Sequence, residues 1–256
     1  MKGLKGKLAL VTGGGGGIGL AICSRLAADG CAIGILDINE AAAKRVCETI
    51  KAGGGVAFPL QADICNYSAV SAAVKDFVAE QGRDIDILVN NAGWDIFGPF
   101  VKMTPENMQK VIGINLIGMM NVTHIVVPGM IAKEAGRVVN IASDAGRNGS
   151  SGETAYAAAK GGVIAFSKSM ARETAGKKIT VNAVCPGPTE TNMMHEMMNS
   201  ASSPEKIRDA MLRAIPMRRF GQPDDVAGIV ACLASDGCSY ITGQVISVSG
   251  GLCMAG

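Results

Sequence analysis

The sequence predicts a single-domain α/β protein, one doubly wound parallel sheet of about seven strands with helices on both faces. Three observations carry this expectation. Short β-rich runs alternate with helical patterns along all 256 residues, the order of consecutive βαβ units. The strand candidates are apolar on successive residues, as in Ile87-Leu88-Val89 and Val138-Val139-Asn140-Ile141, which suits strands covered on both faces. Glycine is abundant at 34 residues while aromatics reach only 4%, a composition that favours tight connections and close packing.

The elements follow in order. Leu8–Thr12 is the first strand and Ile18–Ala28 the first helix. Ala32–Asp37 is a strand, Glu40–Ala52 a helix, Val56–Gln61 a strand and Tyr67–Gln81 a helix. Ile87–Asn90 is the fourth strand, followed by one long helix over roughly Pro105–Glu134. Arg137–Ala142 is the fifth strand, with a helix from about Thr154 to Thr174. Ile179–Cys185 is the sixth strand, Pro223–Ser235 a helix and Gln244–Val248 the last strand. No repeat, linker or composition shift divides the chain, so residues 1–256 read as one domain.

Composition excludes several classes. Hydrophobic residues at 48% and charged residues at 18%, with a net charge of +2, exclude intrinsic disorder. The basic residues are scattered, which gives no support for nucleic-acid binding. Eight cysteines without any C-x-x-C pair, and only two histidines, argue against a metal site and against a disulfide scaffold; free thiols in a reducing cytoplasm are expected. Leu8–Val11 is too short for a signal-peptide core. The apolar stretch from Val111 to Ile131 is interrupted by Asn115, Asn121, His124 and Pro128, short of the ~20 clean residues a membrane span needs, so no membrane association is expected.

The first chemically informative segment is Thr12-Gly13-Gly14-Gly15-Gly16-Gly17-Ile18-Gly19, between the first strand and the first helix. Glycines there permit a tight turn and close approach of a pyrophosphate, which the helix N–H groups then face. Gly13, Gly17, Ile18 and Gly19 are therefore candidate dinucleotide contacts in a Rossmann-type fold. Asp37 ends the second strand eighteen residues after Gly19, where a carboxylate can take both hydroxyls of an adenosine ribose. It would repel a 2′-phosphate, and no Arg or Lys among Gly14–Gly16 or at Ile38 neutralises one. NAD is expected over NADP.

Three further groups fall in register with this turn. Asn90-Asn91-Ala92-Gly93 follows the fourth strand, Ser143 follows the fifth, and Tyr156-Ala157-Ala158-Ala159-Lys160 opens the next helix, Tyr156 lying thirteen residues after Ser143. With Thr12–Gly19 they make the chain resemble the short-chain dehydrogenase/reductase family over essentially its whole length. The resemblance implies an NAD-dependent alcohol dehydrogenase in which Tyr156 is the general base in oxidation and the acid in reduction. It implies that Ser143 hydrogen-bonds the substrate oxygen, that Lys160 also holds the nicotinamide ribose, and that Asn115 supports a proton-relay water. Tyr156 and Lys160 stand at i and i+4 on one helix face, and the nearby ammonium together with the positive nicotinamide ring is expected to lower the phenol below its usual pKa of about 10. The same resemblance adds Asp63, Ile64, Asn91, Ala92, Gly93, Pro186, Gly187 and Thr189 as cofactor contacts, with Gly250-Gly251 as a structural turn. It also implies a homotetramer, or a heteromer with a related subunit.

The substrate side is less determined. Residues 190–217 hold Met193, Met194, Met197, Met198, Met211 and Met217; they suit either an adaptable apolar lid or the packing of two short helices, and the family position of the segment favours the lid. Trp94 is either an apolar wall or an anchor for its loop. Asp95 and Arg147 add charge at the mouth. Gly93-Trp94-Asp95-Ile96-Phe97, with Ser143-Asp144 and Gly149-Ser150-Ser151-Gly152-Glu153, resembles the branch that oxidises cyclic or aromatic β-hydroxyacyl-CoA thioesters, of the 2-hydroxycyclohexanecarboxyl-CoA or 2-(hydroxybenzyl)succinyl-CoA type. The alternatives are a 3-oxoacyl-carrier-protein reductase and a non-catalytic cofactor-binding subunit; intact Ser143, Tyr156 and Lys160 weigh against the latter.

Overall fold

Strands that are apolar on successive residues must bury both faces, and the architecture follows from that requirement. A computed structural model describes residues 1–200 and 204–254. Seven parallel strands, β1 (Leu8–Thr12), β2 (Ala32–Asp37), β3 (Val56–Gln61), β4 (Ile87–Asn90), β5 (Gly136–Ile141), β6 (Ile179–Pro186) and β7 (Val245–Val248), form one sheet in the order β3-β2-β1-β4-β5-β6-β7. The helices among the first six are α1 (Gly17–Ala28), α2 (Glu40–Ala52), α3 (Tyr67–Gln81), α4 (Pro105–Ile112), α5 (Met119–Ala132), α6 (Ala145–Asn148) and α7 (Thr154–Thr174). Before β7 come α8 (Asn192–Ser200), α9 (Pro204–Ala214) and α10 (Pro223–Ala234).

Alternate residues of each strand serve opposite layers. Ala9 and Val11 of β1 join Ile33, Ile35, Val89 and Val184 under α1, α2 and α10. Leu8 and Leu10 join Leu36, Leu88, Val138 and Val181 under α3, α5 and α7. Every residue of β1, β4 and β6 is buried. Pro59 sits in the edge strand β3, where a missing backbone N–H is tolerated. Helix starts are set by short polar side chains: Asn39 accepts from Ala42 N, Asn66 from Ala69 N and Thr104 from Asn107 N.

The expected single helix over Pro105–Glu134 is corrected by the structure. It is divided by a π-helical turn at Gly113–Gly118 and ends at Ala132; π turns inside α-helices frequently mark functional sites. Pro105–Ala132 is long and apolar enough to cross a membrane by length and composition alone, but here Val122, Val126, Val127 and Met130 pack against the sheet. Residues 190–217, which carry no clear period in sequence, contain α8 and α9. Strand order reverses between β1 and β4, so the loops at their carboxyl ends part and leave the crevice in which doubly wound sheets bind ligands.

Candidate active site

The cofactor side of the crevice is a turn locked by polar side chains. Thr12, 1% exposed at the end of β1, accepts through Oγ1 from the backbone N–H groups of Asn91 (3.0 Å) and Ala92 (3.1 Å). Asn91 returns the bond, its Nδ2 donating to the carbonyls of Thr12 (3.2 Å) and Gly13 (3.0 Å). Gly13 has φ +62°, and a Cβ on it would stand 2.7 Å from Ala92 Cα, so no other residue fits. Past this turn, α1 starts with no side-chain cap and no acidic residue in its first turn. Its N–H groups and positive dipole end thus meet no anion from the helix itself, the condition for receiving a phosphate. Gly17 faces Thr191 of the loop after β6, 3.6 Å from the position its Cβ would take.

Asp37 meets the same turn from β2. Its Oδ2 accepts from Gly15 N and its Oδ1 from Asn39 N, both at 2.9 Å. The carboxylate therefore stands on the turn itself, where it can take the hydroxyls of a ribose. Asp63 is exposed at the end of β3, its Oδ1 accepting from Cys65 N at 2.9 Å. The Ile64 side chain is buried, and its carbonyl takes the Asn121 amide at 3.0 Å, which leaves backbone alone to meet a cofactor. Gly187 N donates to Val248 O (3.0 Å), Thr189 Oγ1 to Gly187 O (2.9 Å), and the Pro186 carbonyl accepts from Asp144 N (3.1 Å). These residues fit a nicotinamide dinucleotide laid across the carboxyl ends of β1, β2, β4 and β6.

At the reacting end, Ser143 after β5 meets Tyr156 and Lys160 on α7. Ser143 Oγ accepts from Ala145 N at 3.1 Å, and the Ser143 side chain acts on the Tyr156 hydroxyl, pulling its phenol down. Lys160, 3% exposed, donates to Ile141 O at 2.8 Å and lies 5.5 Å from the Tyr156 ring centroid. Desolvation holds its ammonium down at about 8, against the pull of Cys185 and Asp95. The ammonium alone does not lower the phenol. Desolvation pushes Tyr156 above its ordinary range, and the Glu153 carboxylate adds to that, while the Ser143 hydrogen bond opposes both. Among the protein's own groups, burial wins.

Asn115 lies in the π turn, 1% exposed. Its Nδ2 donates to Trp94 O (2.6 Å) and Val111 O (2.9 Å), and its Oδ1 accepts from Trp94 N at 3.4 Å. The side chain is thus bonded to the loop after β4 and holds that loop in place. Gly93 makes the approach possible: its Cβ would lie 2.9 Å from Asn115 Oδ1 and 3.6 Å from Lys160 Nζ. Trp94, whose backbone is clamped this way, carries the Lys110 ammonium 4.0 Å from its ring centroid, which makes it an anchor for its loop.

Two substrate-side expectations change. Arg147 is turned to the scaffold: its Nη1 donates to Ser247 Oγ (2.9 Å) and Val245 O (3.4 Å) on β7, and Asp144 accepts from the same Ser247 hydroxyl. Met194, 8% exposed, belongs with Ile215, Phe220, Met198 and Met211 to a small cluster that packs α8 and α9 together. Met193 is 42% exposed. Met197 is on α8, with its side chain outside the described ones. Gly250 and Gly251, at φ +61° and +87°, support Ile215, Pro216 and Met217 at the base of this segment. Asp95 does stay at the site. One oxygen takes the Ile96 N–H, and Oδ1 is buried with no hydrogen-bond partner among the described residues. The β7 ties of Arg147 were not singled out from sequence, because nothing local in the chain announces a contact a hundred residues away.

Comparison with known proteins agrees with this geometry. Residues 14–253 match the family profile described as enoyl-(acyl carrier protein) reductase. A 3-oxoacyl-[acyl-carrier-protein] reductase of Thermotoga maritima is 41% identical over 249 residues, covering 97% of this chain and 98% of the relative. The chain belongs to the short-chain dehydrogenase/reductase family. An acetoacetyl-CoA reductase of Shinella zoogloeoides is 42% identical, covering 96% of this chain and 98% of that protein. The crystal structure of a 3-oxoacyl-[acyl-carrier protein] reductase with bound NAD from Brucella melitensis superposes with a TM-score of 0.89 at 34% identity, over 98% of this chain and 92% of that one. The protein is accordingly an oxidoreductase, and these three relatives are named for 3-oxoacyl thioesters rather than for the cyclic acyl group that the residue pattern suggested.

Proposed function

We propose that the protein interconverts 3-oxoacyl and 3-hydroxyacyl thioesters with NAD(H), acting chiefly as a reductase of the 3-oxoacyl-carrier-protein or acetoacetyl-CoA type. The Ser143–Tyr156–Lys160 cluster carries this reading. Tyr156 carries its proton at neutral pH, as a phenol of ordinary value about 10 does, and that proton can pass to a carbonyl oxygen being reduced. Ser143 hydrogen-bonds the same oxygen, and Lys160, rooted on Ile141 O, orients the ribose side. Bound NADH supplies the hydride and its oxidised form a positive charge beside the phenol. The relatives' substrates support an unbranched acyl group in place of a cyclic or aromatic one.

Asp37 on the Gly15 N–H supports NADH over NADPH, since an unpaired carboxylate–phosphate contact costs several kcal/mol. A cytoplasmic setting fits the eight free cysteines. Exposed Ile117 and Met120 on the helix carrying the π turn support self-association, as a homotetramer.

The test is acetoacetyl-CoA reduction followed by the absorbance of each reduced cofactor. Efficiency with NADH should exceed that with NADPH by on the order of 100-fold, and Asp37→Ser should narrow the gap. Equal efficiency with NADPH overturns the cofactor reading. Turnover of a cyclic hydroxyacyl-CoA without turnover of acetoacetyl-CoA overturns the substrate reading.

A further inference from the structure

The loop after β4 and the turn before α7 are clasped over the reacting end. Gly98 N donates to Gly152 O at 2.9 Å. Gly152, at φ +84°, lies against the Phe97 ring, which a Cβ would meet at 2.6 Å. The clasp brings two carboxylates that the reaction does not use to the same side of Tyr156. Glu153 is the residue just before α7, next to Gly152 of the clasp, and its charge bears on Tyr156. Asp95 follows the Gly93–Trp94 segment that packs on Asn115 and Lys160. The Oδ1 of Asp95 is buried and has no hydrogen-bond partner among the described residues, so no donor is spent on that oxygen.

We propose that Asp95 and Glu153 are specificity-determining residues, an acidic pair that turns away acyl groups bearing a carboxylate near the reacting carbon and admits neutral ones. This rests on the thioester reading above and narrows it: 2-(hydroxybenzyl)succinyl-CoA, which carries a free carboxylate, falls outside the accepted class. Like charges brought together in a desolvated site are costly, and the Lys160 ammonium offsets the Asp95 charge only in part, since burial and Glu153 outweigh it. The groups facing Asp95 are Glu153, Lys160 and the Ile96 N–H, and those facing Tyr156 are Glu153, Ser143, Asp95 and Cys185. Asp95 itself is raised to about 6, by desolvation first and Glu153 next. The discrimination is therefore strongest above that pH and relaxes below it.

The experiment compares kcat/KM for oxidation of 3-hydroxyglutaryl-CoA with that of its neutral methyl ester, a pair matched in shape. Tyr156 and Lys160 titrate alike for both substrates, so the ratio isolates the pair. At pH 8 the ester should be favoured by about 30-fold, and Asp95→Asn or Glu153→Gln should each shrink that ratio by about 5-fold, a like-charge contact removed. In the wild type the ratio should fall on going to pH 5.5, a reading that needs no variant to fold. A wild-type ratio below about 3-fold, or one unmoved by both substitutions and by pH, overturns the proposal. If the wild type turns over no thioester, the thioester reading fails separately. The same ratio is then taken with 3-hydroxycyclohexanecarboxylate and its methyl ester, where preference for the ester above about 10-fold upholds the acidic pair and a ratio near unity overturns it.

Discussion

Replacing Lys160 by methionine should inactivate the enzyme and stabilise the fold. The side chain is 3% exposed, and its ammonium is held down from an ordinary 10.5 to about 8 by desolvation. Ionising it at pH 7 therefore costs the folded state roughly 3 kcal/mol relative to the unfolded chain. Methionine keeps the stem, suits a helix and carries no charge, but it leaves Ile141 O without its 2.8 Å donor, a loss of about 1–2 kcal/mol. The net gain at pH 7 is about 1–2 kcal/mol, or a rise of a few degrees in Tm for a domain of this size. The sign is set by the depressed value. Wild-type stability from this group is present above 10.5 and is lost as the pH falls towards 8, so the advantage of the variant is greatest near neutrality and fades in alkali. Urea unfolding at pH 7 and 9.5 should show the difference shrinking by about 2 kcal/mol. A variant less stable than wild type at pH 7, with a difference that does not change with pH, would refute the reasoning. Turnover should drop by at least about 100-fold whichever way stability moves.

Tyr156→Phe keeps the ring and removes the proton donor; turnover should fall by at least about 100-fold while NADH affinity, read from quenching of Trp94, holds, and near-normal turnover would remove Tyr156 from its role. Met194→Ala opens a hole in the cluster between α8 and α9, typically about 2–5 kcal/mol for such a truncation, and should raise KM for every acyl thioester alike. Met193→Ala, at a 42% exposed position, should leave Tm unchanged and weaken long acyl groups selectively; a loss of Tm without selectivity would assign it to packing as well.

The fold was legible because each strand announces itself twice, by β-rich residues and by burial on both sides, and the glycine turn places β1 and α1 without reference to the rest of the chain. The Tyr156–Lys160 pair was legible for the same reason, since four residues on a helix fix a geometry locally. Arg147 was not. In the chain its charge looks available to a substrate, until β7, ninety-eight and a hundred residues away, supplies Val245 O and Ser247 Oγ. The burial that pushes the Tyr156 phenol up was not legible because it is a property of the packed site, whereas the favourable neighbour, Lys160, is visible in the chain. Met194 was ambiguous because a methionine at a helical position looks the same whether it faces a partner helix or a ligand.

The wide turn at Gly113–Gly118 has a consequence for chain length. Val111 and Met130, both fully buried, are nineteen positions apart. In an unbroken helix, advancing about 100° per residue, they would point about 100° apart around the axis. One residue's worth of extra winding in the wide turn removes that offset, so both ends of the helix bury the same side. Deleting one residue between 113 and 118 would leave the two positions eighteen apart, five whole turns of a regular helix, with the same facing. The core therefore tolerates a shortening here, and what the extra residue supplies is the widened turn that holds Asn115.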